Sequence, residues 1–181
     1  MTMADVREEY TNALFKLAQE ENLCDVILND VRDLNVIFKD NPDYVRLLSA
    51  PNIKREERIN LVDEAFGGKI NLYTLNFLKI MIERGYFSLV TDCFDEFVEL
   101  YNKANNIEVV TAITSVEFTD SQREKLKKVL AEKLGKKIEL IEKTDSSIIG
   151  GIRLEMNGKL IDSSVKARLE NIRAALNSTV L

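Results

Sequence analysis

The sequence predicts an α+β chain, with an N-terminal six-helix bundle over residues 1–105 and a small α/β domain over residues 106–181. Three observations lead there. Up to about Tyr101 the apolar residues recur at helical spacing. Beyond it, β-branched runs alternate with an amphipathic helix. Between the two lies Asn102-Lys103-Ala104-Asn105-Asn106, polar and without an apolar anchor, which reads as a domain boundary.

The first helix contains Val6, Tyr10, Ala13, Leu14, Leu17 and Ala18, with Asp5, Glu8 and Glu9 near its start, where the helix dipole favours acids. A second places Ile27, Val31, Leu34 and Phe38 on one stripe and stops around Asp40-Asn41. Pro42 suits the first position of a short third helix over residues 43–48. After Pro51, a fourth carries Ile59, Val62 and Phe66 and closes at Gly67-Gly68. The fifth, Leu72 to Arg84, has Leu72, Leu75, Phe77, Leu78, Ile80, Met81 and Ile82, which leave only a narrow polar strip. A helix so apolar is either buried by several neighbours or keeps one face for a partner, such as a groove shared with the first helix. Gly85 ends it, and a sixth helix aligns Phe87, Val90, Phe94, Phe97, Val98 and Tyr101. Helices of this length on short polar connections make a compact bundle.

The second half changes period. Residues 107–116 read as a strand, and Thr119 with Gln122 has capping-box spacing, Phe118 serving as the staple. The helix they open holds Leu126, Val129, Leu130 and Leu134 and stops at Gly135; Ile138, Leu140 and Ile141 mark another strand. After the Asp145-Ser146-Ser147 turn, Ile152, Leu154 and Met156 alternate with Arg153 and Glu155, and Asn157-Gly158 is a favoured two-residue hairpin turn. Gly150-Gly151 is expected to form a bulge within that strand, with close backbone approach by a partner helix as the alternative. Leu160 and Ile161 continue the return strand. Asp162, Ser163 and Ser164 then cap a helix that places Val165, Leu169, Ile172 and Leu176 on one stripe.

Composition narrows the chemistry. The 181 residues are 45% hydrophobic and 30% charged, with a net charge of -5, so no global basic field draws the chain to nucleic acid. There is no His, which removes both imidazole catalysis at neutral pH and His-ligated metal. Cys24 and Cys93 read as separate small hydrophobes of a reduced compartment rather than a disulfide. The first residues lack a signal-peptide run, and no stretch approaches the roughly 20 apolar residues that span a bilayer. A cytoplasmic chain is expected, with membrane association only through partners.

Motifs that suggest chemistry have plainer readings. Gly67-Gly68-Lys69 and Gly158-Lys159 lack the glycine spacing and the Ser or Thr of a phosphate loop, and read as helix-stop and hairpin glycines. Glu56-Glu57 and Asp95-Glu96 sit on amphipathic helices, where solvated faces explain them better than an acid/base pair. Lys125, Lys127, Lys128, Lys133, Lys136 and Lys137 read as the outer face of a helix before a phosphate-binding stripe. No catalytic residue, cofactor or metal site is expected.

The segment GGIRLEMNGKLIDSSVKARLENIRAAL also resembles the C-terminal signature of the δ subunit of bacterial F-type ATP synthase, the counterpart of the mitochondrial oligomycin-sensitivity-conferring protein. Gly150, Gly151, Gly158, Asp162, Ser164, Val165 and Leu169 fall into that pattern, while Ser163 stands where the family usually has Gly, a mild strain if that backbone needs positive φ. Tyr10-Thr11-Asn12-Ala13-Leu14-Phe15 and Leu48-Ser49-Ala50-Pro51-Asn52-Ile53 are similar to earlier landmarks of the family, in order. In a third, Arg84-Gly85-Tyr86-Phe87 keeps only the Gly.

The resemblance implies a non-catalytic stator component on the cytoplasmic face of the cell membrane. Its first domain would hold the F1 head through the N-terminal helix of an α subunit, at Tyr10, Ala13, Leu14, Leu17, Phe77, Ile80 and Met81. Its second would hold the C-terminal helices of the b-subunit stalk at Leu160, Val165, Arg168, Leu169 and Ile172. The competing readings are a small helix-binding adaptor, a small α/β enzyme with a helical lid, and a nucleic-acid adaptor using the lysine-rich helix.

Overall fold

Several helices of the N-terminal part begin or end where a local signal fixes them. The computed structural model describes residues 2–156, 158–165, 167 and 169. In helix α1 (Met3–Glu20) the Thr2 hydroxyl accepts from the Asp5 amide while the Asp5 carboxylate accepts from the Thr2 amide, a reciprocal cap. Helix α2 (Cys24–Asp40) presents Ile27, Val31, Leu34 and Phe38 to the interior, and Pro42 opens α3 (Pro42–Ser49). Helix α4 is Arg55–Phe66 and α5 is Leu72–Arg84, the latter stopped by Gly85 at φ 75°. The expected sixth helix divides: residues 87–89 form a 3₁₀ turn, and α6 proper is Val90–Ala104. It therefore runs through Asn102, Lys103 and Ala104, the first residues of the expected domain boundary.

The core of this part is aromatic. Phe38 sits at its centre, with ring centroids 5.8 Å from Phe66, 5.7 Å from Phe87 and 6.1 Å from Phe94. Edge and stacked arrangements at these distances add to the burial energy. Arg58 is buried too, and its guanidinium donates to the Leu48 carbonyl (2.9 Å), closing the end of α3 against α4. Cys93 is buried on α6 and Cys24 half-buried on α2; both are free thiols.

The chain divides into two compact units, residues 1–101 and 102–181. In the second, β1 (Ile107–Thr114), α7 (Asp120–Leu134) and β2 (Lys137–Thr144) form a parallel crossover, followed by β3 (Ile152–Met156) and β4 (Lys159–Asp162). The sheet order is β2-β1-β3-β4, with β1 parallel to β2 and antiparallel to β3, and β3 antiparallel to β4. Register aligns Val110 with Leu140, and Ala112 with Leu154. Helix α7 opens with the expected box, Thr119 and Gln122 exchanging side-chain and amide bonds, and Arg123 ties it to Glu142 on β2.

Gly150 and Gly151 are not a strand bulge. They precede β3, and Gly151 takes φ +88° with the backbone of Ser163 and Ser164 pressed against it. A Cβ there would lie 2.7 Å from the Ser163 carbonyl oxygen, closer than atoms can pack. Ser163 needs no positive φ, so it replaces glycine without that strain.

Candidate partner-binding surfaces

On the first unit, the start of α5 is pinned to α2. The Asp30 carboxylate accepts from the Asn71 amide (2.7 Å) and from the Thr74 hydroxyl (2.9 Å), and the Asn71 side chain caps Tyr73 (2.9 Å). At the other end, the turn after Gly85 brings Tyr86 edge-on to Tyr10 of α1, centroids 5.9 Å apart. Helices α1 and α5 are therefore in contact.

The seven residues expected to line a groove there separate into two sets. Leu14, Phe77 and Met81 belong to the buried core. They lie on the inward faces of two amphipathic helices, at 4%, 6% and 0% exposure. Tyr10 and Leu17 are half-buried, while Ala13 and Ile80 are exposed, Ile80 at 43%. Sequence reasoning passed over Leu72 as a contact residue, although it is 64% exposed. It precedes Ile80 by two helical turns, with Asn76 between them, so the row Leu72, Asn76, Ile80 was readable from i, i+4, i+8 spacing.

A separate cleft of about 570 Å³ opens elsewhere on this unit, lined by Phe38, Pro42, Val45, Ser49 and Pro51 among others. Its polar rim is already engaged: Lys39 bridges Asp95 (2.8 Å) and Arg46 pairs with Asp43. Shifted titrations have local structural causes. Burial pushes the Cys93 thiol up to about 11, and burial also raises Cys24 and Tyr44. The Asp25 carboxylate, accepting from the Tyr101 hydroxyl, raises that phenol.

On the second unit, the hairpin and the following turn present apolar side chains outward. Leu160, Val165 and Leu169 are exposed, as are Ile149 and Ile161. Arg168 and Ile172, also expected in this contact, lie outside the described residues. The segment is held by main-chain bonds: the Ser163 amide donates to the Ile152 carbonyl (3.0 Å) and the Val165 amide to the Gly150 carbonyl (2.9 Å). Asp162 accepts from the Ser164 amide (2.8 Å), and the Ser164 hydroxyl caps Ala167 (3.1 Å). These bonds account for the spacing of Gly150-Gly151 and Asp162-Ser163-Ser164-Val165, because each group serves to seat the turn against the glycines. Two members of the lysine run have acidic neighbours, one of them just past the end of α7. Lys136 pairs with Glu108 (2.7 Å), and Lys127 approaches Glu124 at 4.0 Å.

The family described as ATP synthase delta (OSCP) subunit matches residues 6–176. A relative from Lactobacillus gasseri, an ATP synthase subunit delta, is 33% identical, with 97% of each chain covered. One from Lachnoclostridium phytofermentans, of the same name, is 30% identical, with 92% of each covered. Among solved structures, a chain of the Toxoplasma gondii mitochondrial ATP synthase hexamer shares the fold, with a TM-score of 0.73 at 20% identity, covering 97% of this chain and 98% of that one. The chain thus belongs to the ATP synthase delta (OSCP) subunit family, the non-catalytic peripheral-stalk subunits of F-type ATP synthase.

Proposed function

We propose that this stalk protein works as a two-ended clamp, with residues 1–105 acting as a six-helix bundle that holds the F1 head and residues 106–181 holding the b-subunit stalk. The bundle takes the N-terminal helix of an α subunit along α1 and α5, through Tyr10, Ala13, Leu17, Ile80 and Leu72. The second domain takes the C-terminal helices of the b-subunit stalk at the hairpin and the helix start, through Leu160, Val165 and Leu169. The single observation that carries this reading is that Leu72 and Ile80 of α5, a helix in contact with α1, remain exposed. Apolar surface of this kind gains roughly 25 cal/mol per Å² when a guest helix covers it.

The mechanism is mechanical. A turning central shaft exerts torque on the head, and ion flow drives ATP synthesis only if the head is held still. Tethering both contacts on one chain makes the second effectively intramolecular, so two modest contacts hold together strongly. The location that follows is the cytoplasmic face of the cell membrane, within the complex; no described helix is long and apolar enough to cross a bilayer. Stripping the protein from membranes should leave ATP hydrolysis intact and abolish ATP-driven ion pumping, and adding the purified chain back should restore pumping. Pumping that survives its removal would refute the reading.

A further inference from the structure

We infer that the helix received on α1 and α5 is a basic one, an apolar stripe flanked by lysine or arginine, drawn in by the acidity of this half of the molecule. The inference rests on the reading of α1 and α5 as the docking surface and adds the charge of the guest.

The net charge of -5 conceals two opposite halves. Residues 1–101 hold 19 Asp and Glu against 11 Lys and Arg, whereas residues 102–181 hold 11 against 14. The acidity is thus a property of the unit that carries the groove, not of the chain as a whole. Several of these carboxylates stand on α1 and α5 or at their ends. Glu9 lies one helical turn before Ala13, Glu20 two turns after it, and Glu21 one turn after Leu17; all three are exposed. On α5, Glu83 follows Ile80 by three residues and is exposed as well. Lys16 and Arg84 are the exposed cations of these two helices, fewer than the acids.

Other charges of the unit are already matched: Arg7 bonds Glu96 (2.9 Å), Lys39 bonds Asp95 and Lys79 bonds Asp63 (2.6 Å). Each pair cancels one cation with one acid, so the acidic excess of the unit is unchanged. Exposed charges of this kind add little to the held complex but steer the encounter, raising association rates by about tenfold or more at low salt. Their reach is about 8 Å at physiological ionic strength, so the effect fades as salt rises. A like-charged helix is repelled from the same surface, which sets partner choice as well as rate.

The test uses the full chain and a peptide of the N-terminal helix of its α subunit, made in three forms: natural, with lysine at every flanking position, and with glutamate there. Association and dissociation rates are followed from low to high salt. The lysine form should associate about tenfold faster than the glutamate form at low salt, with the gap closing as salt rises and dissociation little changed. Glu9→Lys with Glu20→Lys should slow the lysine form several-fold and speed the glutamate form. Equal rates for the two forms, or a faster glutamate form, would overturn the inference while leaving the docking surface in place. A natural peptide whose binding ignores Ile80→Asp would remove the docking surface itself, and this inference with it.

Discussion

Ile80 and Met81 are neighbours in sequence with opposite surroundings, and that contrast separates binding from stability. Ile80 is 43% exposed on the outer side of α5, while Met81 is fully buried. Covering an isoleucine completely is worth about 1.5–3 kcal/mol, so the uncovered part of Ile80 offers roughly 1 kcal/mol to a guest helix. Ile80→Ala should therefore weaken the α-subunit peptide about fivefold. Ile80→Asp adds the cost of desolvating a carboxylate against an apolar stripe, and should weaken it by about a hundredfold or more. Both variants should keep the urea midpoint close to that of the natural chain, because little of Ile80 contributes to the core. Met81→Ala should do the reverse, lowering stability by about 2–5 kcal/mol through the cavity it leaves. Calorimetric titration of the peptide, paired with urea unfolding of each variant, reads both quantities. An Ile80→Asp variant that unfolds normally and binds with unchanged affinity would refute α1 and α5 as the docking surface.

Other expectations follow from individual contacts. Gly151→Ala places a Cβ against Ser163 and Ser164 at positive φ, and should destabilise the second unit by about 1–3 kcal/mol or more in denaturant unfolding. Asp30→Ala leaves the Asn71 amide and the Thr74 hydroxyl without their acceptor and should cost about 1–3 kcal/mol, with faster amide exchange in the first turn of α5. Cys93 should resist thiol reagents at pH 8 until the chain unfolds, while half-buried Cys24 reacts first. Because the folded Cys93 thiol is raised from its ordinary 9 to about 11, the unfolded chain loses that proton first. Its contribution is complete below about pH 9 and is lost as pH rises toward 11, and Cys93→Ala should flatten that part of the stability profile.

Local signals make most elements legible in the sequence. Gly85 and Gly135 end helices at positive φ, Pro42 opens one, and the Thr119–Gln122 box opens another, each a short-range cause visible in a few residues. What needs the fold is direction. Leu14, Phe77 and Met81 are as apolar as Ile80, and only the packing of α1 and α5 against the rest of the core decides which of them turn inward. The division between the two units falls at Asn102, where the composition turns polar, yet helix propagation from the aromatic stripe of α6 carries Asn102 and Lys103 along. Gly150-Gly151 is ambiguous in sequence because the approaching backbone comes from residues 163–164, beyond any local window.

The clamp itself is tested most directly by asking whether one molecule joins both partners. Purified F1 head and a soluble b-subunit dimer, which should not associate on their own, are mixed with and without this chain and separated by size. The account predicts a single species containing head, chain and b dimer, which Ile80→Asp reduces to chain and b dimer alone. Binding of either partner that excludes the other, or no complex with either, would contradict it.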